Sequence, residues 1–207
     1  NDDDTDDDGE TDGDEVAAGT DPLDSRSPFT LRVMDFDAGD TVTVGVHEKQ
    51  TKLNLGASMT VEAWVKPDTA AQVQPLLSKT SGVDVNYSLA TDADGDIVFT
   101  VGDQTLVSDP RARLEDGAWG HVAASAGDGT LSLTVAVEAG GAYQSYTVTR
   151  ALTAPVPVEN GVLTLGGGAF SGRIDDVRIW NERRDADDVA AERTAALTGD
   201  EPGLVAY

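Results

Sequence analysis

From Phe29 to the C-terminus, apolar and polar residues alternate over short runs broken by Gly, Asp and Pro. The clearest runs are FTLRVMDF, TVTVGV, MTVEAWVKP, YSLAT, IVFTV, WGHVAAS, LSLTVAVE, YQSYTVT, VLTLGG and GRIDDVRIW. A period of two places one set of side chains on each face of a strand, so each run predicts a strand with one apolar face. Many short strands with turn residues between them predict an antiparallel two-sheet sandwich. Two hairpins stand out, at Asp94-Gly95 and Asp128-Gly129, because Asp-Gly supplies positive φ at little cost. One helix is predicted, in RRDADDVAAERTAALTGDEP. Asp185 is its N-cap, Asp187 and Asp188 lie in its first turn, and Gly199 closes it. The final GLVAY reads as a last strand.

The first 28 residues lack this pattern. They carry Asp, Gly and Thr with almost no large apolar side chain, and residues 1–24 hold twelve acids and no base. We therefore expect an acidic linker or arm over 1–28 and a β-sandwich domain over 29–207. Counted from Asp4, the arm places Asp4, Asp6 and Asp8 at positions 1, 3 and 5 of a calcium loop, Gly9 at 6, Asp12 at 9 and Glu15 at 12, with Glu10 between. A solvated or salt-ordered charge run is the competing reading, since an Asp-rich stretch fits some register by chance.

Acids outnumber bases 38 to 14 in 207 residues, a formal net charge of −24. Such a surface disfavours nucleic acid and anionic membrane as partners. Lys is scarce beside Arg, an acidic composition like that of extreme halophiles, archaea among them, where molar salt shortens the Debye length to about 3 Å. The chain has no Cys, which excludes disulfides and thiolate metal sites. No apolar run is long enough to insert as a membrane-spanning helix. The start at Asn1 within an acidic run and the end at Tyr207 lead us to expect a processed form or excerpt, continued beyond Tyr207.

LRVMDFDAGDTVTV, LNLGASMTVEAWVKPD, LLSK, DGAWGHVAAS and FSGRIDDVRIWNERRDADDVAA follow one another in the order of landmarks in laminin-G-like domains. Over residues 30–207 the chain resembles this concanavalin A-like lectin/glucanase jelly-roll family. The resemblance implies two antiparallel sheets packed face to face with one short C-terminal helix. It also implies a calcium site at one rim.

Alternation places Asp175 on the face of Val177 and Ile179, where a buried carboxylate must be hydrogen-bonded or metal-bound. Asp37 and Asp40 of the DFDAGD loop are its candidate metal partners. Asp92 to Asp96 reads as an ordinary hairpin turn, because it lacks the sixth-position Gly of a calcium loop. Trp64, Trp119 and Trp180 read as packing residues, and His47 and His121 as structural or exposed. Glu62 has no acidic partner at i+2, so no glycosidase pair is evident and no catalytic residue is assigned.

The expected function is a non-catalytic extracellular or cell-surface module for binding or adhesion. It would recognise glycan or a cell-surface protein, with calcium as the stabilising ion. The alternative is a structural role as a homo-oligomer or particle scaffold, decorating a virion or building a filament through its acidic arm.

Overall fold

In this computed structural model the described residues are 33–45 and 51–207, together with Thr5, 11–13, Val16 and Leu23. Contacts divide the chain into Asn1–Val33 and Met34–Tyr207, each described by itself. In the second unit the alternating runs become strands. These are β1 (Met34–Phe36), β2 (Thr41–Val44), β3 (Met59–Pro67), β4 (Gln74–Ser81), β5 (Asp84–Thr91), β6 (Ile97–Val101), β7 (Gln104–Val107), β8 (Gly120–Gly127), β9 (Thr130–Ala139), β10 (Ala142–Ala151), β11 (Val162–Gly166), β12 (Gly172–Trp180) and β13 (Leu204–Ala206).

All pairings are antiparallel. One sheet runs β1-β12-β3-β8-β9-β10, with β13 also on β12, and the other runs β2-β11-β4-β5-β6-β7. The two sheets form a sandwich, with one short α-helix among the described residues of this unit, the jelly-roll class expected. Its core is built from alternate positions: Met59, Val61 and Val65 of β3, Leu131, Leu133 and Val135 of β9, and Leu89, Ile97, Phe99 and Leu165 from the other sheet. Each such side chain, fully buried, stabilises the fold by about 1.5–3 kcal/mol relative to exposure.

The Asp128-Gly129 hairpin joins β8 and β9 with positive φ at both residues, 49° and 71°. Two strands escaped the periodicity. In β4, register shifts between Pro75 and Leu77 and between Lys79 and Thr80 break the alternation, and the buried Lys79 pairs with Tyr87 and Leu163 at interior-facing positions. β7 is only four residues long.

The outward face of the six-stranded sheet has a distinct composition. Thr43, Thr164, Ser78, Ser88, Thr100 and Thr105 are register partners in a continuous row across all six strands. The neighbouring outward partners are Val162, Thr80 and Val85 on one side, with exposed Asp103 two residues before Thr105, and Ala90, Val98 and Val107 on the other.

The helix, α1, spans Ala186–Glu192 and is shorter than the sequence predicts. Asp185 caps it as expected, accepting from the Asp187 and Asp188 N–H groups. It ends at Arg193 rather than at Gly199 because donors from the sheet take its last carbonyls. The Arg178 guanidinium donates to Glu192 O and Ala195 O, both at 2.8 Å, and the Trp64 indole donates to Arg193 O. Gly199, at φ 87°, belongs to a separate turn.

Candidate functional site

On β3, Thr60, Glu62 and Trp64 alternate with core residues and so face away from the sandwich interior. The segment after β12 covers them, producing a buried polar layer. Glu62 Oε1 accepts from the Trp180 indole N–H at 2.8 Å, and Glu62 Oε2 lies 3.4 Å from His121 Nε2, both side chains being 2% exposed. Arg184 stacks over Trp180 at 4.0 Å and donates to Glu192. Thr60 Oγ1 donates to Glu182 O and accepts from Arg184 N, while Ser125 donates to Arg184 O. Burial raises the Glu62 carboxyl, but His121, the Trp180 N–H and the Arg178 charge outweigh it and hold the group below its ordinary range. This layer docks the C-terminal segment. Its Glu and His are sealed from any substrate.

The rim at the C-terminal end of β3 is where loops converge. Gly117 N–H donates to Pro67 O, Ala70 N–H to Asp116, Leu114 N–H to Gly95 O, and Ser171 Oγ to Asp68. Gly172 is needed here: its φ is 140°, and a Cβ would overlap the Lys66 carbonyl oxygen. A pocket of about 180 Å³ opens at this rim, lined by Arg113, Leu114, Glu115, Ala118, Trp119, Gly120, Val137, Glu138 and Gly140. Trp119 is half-buried in it, presenting an aromatic surface beside two carboxylates. Arg113 is its one cationic lining residue and is forked onto both Asp96 oxygens at 2.9 and 3.1 Å. Sequence reasoning took Trp119 as packing, since no local signal tells a rim indole from a core one.

The carboxylates expected to bind calcium are placed as follows. Asp4, Asp6, Asp8, Glu10 and Glu15 lie outside the described residues. Asp12 is described, and Thr5 donates to it through N–H at 2.8 Å and Oγ1 at 2.6 Å, which holds its carboxyl below the ordinary range. Asp37 and Asp40 share one exposed turn, the Asp37 N–H donating to Asp40 Oδ2 at 3.1 Å. Asp175 is not on the face expected for it. A bulge between Asp175 and Arg178, with Asp176 at φ 48°, shifts the alternation, so Asp175 pairs with Trp64 on the outer face and is half-exposed.

Among the described residues, the carboxylates that come within 4.8 Å of one another as a group of three are Asp92, Asp94 and Asp96. They form the β5–β6 hairpin turn, where Asp92 Oδ1 accepts the Asp94 and Asp96 N–H groups and Arg113 holds Asp96. Calcium requires about six to eight oxygens. With Asp92 Oδ1 taken by two N–H groups and both Asp96 oxygens by Arg113, the turn is left with three carboxylate oxygens, Asp92 Oδ2 and the two of Asp94, which falls short of that demand.

A profile described as the concanavalin A-like lectin/glucanases superfamily, laminin-G type, matches residues 36–190. The chain belongs to that superfamily. No curated protein matches the sequence. Solved structures similar to this concanavalin A-like domain include a Ruminococcus gnavus IT-sialidase CBM40 bound to α2,3-sialyllactose, at 14% identity and TM-score 0.59, with 77% of this chain and 95% of that one covered. Domain 4 of AbnA, a GH43 extracellular arabinanase from Geobacillus stearothermophilus, in complex with arabinotriose, aligns at 15% identity and TM-score 0.57, covering 77% and 75%. A native heptameric SAP-like pentraxin from Limulus polyphemus aligns at 16% identity and TM-score 0.55, covering 73% and 76%. At these identities the likeness is one of fold.

Proposed function

We propose that this concanavalin A-like domain is a non-catalytic glycan-binding module that works outside the cell or on its surface. The observation that carries this reading is the rim pocket, where the Trp119 indole stands beside the Glu115 and Glu138 carboxylates. A sugar presents an apolar C–H face and a rim of hydroxyls, so an aromatic side chain with carboxylate acceptors in the same cavity matches both. Support also comes from the similar folds, two of which hold sialyllactose or arabinotriose in their own structures. Glu62 and His121, each 2% exposed, lie under the C-terminal segment and supply no reactive pair at this rim.

The test is binding of the folded chain to a panel of oligosaccharides by titration calorimetry, with calcium or with a chelator. Trp119→Ala should weaken binding about tenfold, the equivalent of about 1.4 kcal/mol, with an unchanged far-ultraviolet spectrum. Loss of binding in chelator would bring a cation into the mechanism. A folded chain that binds no member of the panel would overturn the proposal.

A further inference from the structure

We infer that the rim pocket selects a protonated amino sugar, a glucosamine-type unit whose ammonium is held by the Trp119 indole and the Glu115 and Glu138 carboxylates. The inference rests on the glycan-binding reading of this pocket and names the class of sugar that it takes.

The two carboxylates reach the pocket from separate, anchored elements. Glu115 lies in the 113–118 loop, which is tied down where Leu114 N–H donates to Gly95 O and Gly117 N–H to Pro67 O. Glu138 stands near the end of β9, in register with Tyr143 across the β9–β10 hairpin. Both are exposed, and neither side chain has a hydrogen-bond or ion-pair partner among the described residues. Nor does either join a group of three described carboxylates close enough to share a metal ion. The half-buried Trp119 lines the same cavity.

Charge then selects the ligand. Arg113, the one cation lining the pocket, is already forked onto Asp96, with Asp92 and Asp94 adding to the negative field around it. Asp116 of the same loop adds a further carboxylate, which accepts the Ala70 N–H. Arg193, near the β9–β10 hairpin, lies 5.9 Å from the Tyr143 ring centroid and donates to Ser145. A ligand that fills the pocket strips water from Glu115 and Glu138. A neutral sugar returns hydrogen bonds but no counter-charge, and an anionic sugar adds repulsion. An ammonium returns a counter-charge with three charge-assisted donors, and it is attracted to an indole face within about 6 Å of the ring centroid. The cavity, about 180 Å³, is smaller than the roughly 300–1,000 Å³ of sites for drug-sized ligands. It therefore suits one terminal or branching unit rather than a long run of chain.

Titration calorimetry tests this by comparing the glucosamine trisaccharide with its N-acetylated counterpart at about pH 5.5, above the ordinary carboxylate range. The solvent is about 2 M KCl, where a Debye length under about 3 Å screens the field of the −24 chain and leaves only charges in contact. Wild type should bind the amine form about tenfold more tightly. Glu115→Gln and Glu138→Gln should each cut that preference several-fold, and the double variant should abolish it with an unchanged far-ultraviolet spectrum. Asp84→Asn removes an exposed charge at the opposite end of β5 from the Asp92–Asp96 turn and should keep the preference in full. If wild type binds the N-acetylated form equally or more tightly, the amino-sugar inference is overturned and the glycan reading stands. A preference that survives the double variant puts the selecting charge elsewhere and also overturns it. Tri-lysine bound as tightly as the glucosamine trisaccharide, and as sensitive to the Gln changes, would show a cation site indifferent to the sugar, and the inference falls. Binding of neither trisaccharide overturns the inference too, and the oligosaccharide panel then decides the glycan reading on its own.

Discussion

Replacing Arg178 by Met removes a buried cation that ends a helix. The guanidinium is fully buried and donates to two carbonyls of the α1 terminus, Glu192 O and Ala195 O, each at 2.8 Å. Hydrogen bonds to a charged group contribute about 1.5–3 kcal/mol each. Removing the cation recovers part of its desolvation cost, and Met fills much of the volume, so a net loss of about 3–5 kcal/mol is expected. At about 2–4 °C per kcal/mol for a chain of this size, Tm should fall by about 10 °C. Urea unfolding would show a lower midpoint at constant slope. Hydrogen exchange would show faster opening across 181–198 than in β8 and β9, because the carbonyls left bare belong to the docked segment. Arg178→Lys should fail to rescue, since one ammonium cannot fork between two carbonyls as a guanidinium does. A loss under about 1 kcal/mol would refute the reasoning, by showing that water satisfies those carbonyls at no cost.

Other outcomes follow from the same geometry. Because the folded Glu62 carboxyl is held below its ordinary 4.5, it contributes stability above that value and loses it as pH falls through the lowered one. Wild type should thus lose more stability than Glu62→Gln on acidification below about pH 4.5, a difference that pH-dependent urea melts would read. Gly172→Ala should destabilise by about 1–3 kcal/mol in thermal melts, since the new Cβ overlaps the Lys66 carbonyl oxygen and comes within 2.8 Å of Pro67 Cα. Asp185→Ala removes the acceptor of two N–H groups and should cost about 1 kcal/mol, measured by urea unfolding. With a net charge of −24, Tm should climb between 0.1 and 2 M KCl as the Debye length contracts from about 10 Å to below 3 Å. A flat profile would show that self-repulsion is not a main destabilising contribution.

Local chemistry alone determined much of this molecule. Period-two alternation marked most of the strands, Asp128-Gly129 marked a hairpin by its tolerance of positive φ, and Asp185 marked the start of α1 because its carboxylate reaches the next N–H groups. Those signals act within a few residues, so they can be read along a line. The end of α1 could not be, because the groups that stop it, Arg178 and Trp64, come from strands elsewhere in the chain. The face of Asp175 was also misread, since a bulge at Asp176 reverses the alternation without a local signal strong enough to announce it. Period-two alternation puts the polar residues of β3 on one face but does not say what covers that face, and the docking of the C-terminal segment buries Glu62 there. Trp119 became a pocket residue only when the 113–118 loop and the end of β9 met beside it. The hydroxyl row exists only in register, a relation between six strands that no one segment contains. Sequence determined which way each short segment would fold, and tertiary structure decided which faces were covered, because coverage depends on partners distant along the chain.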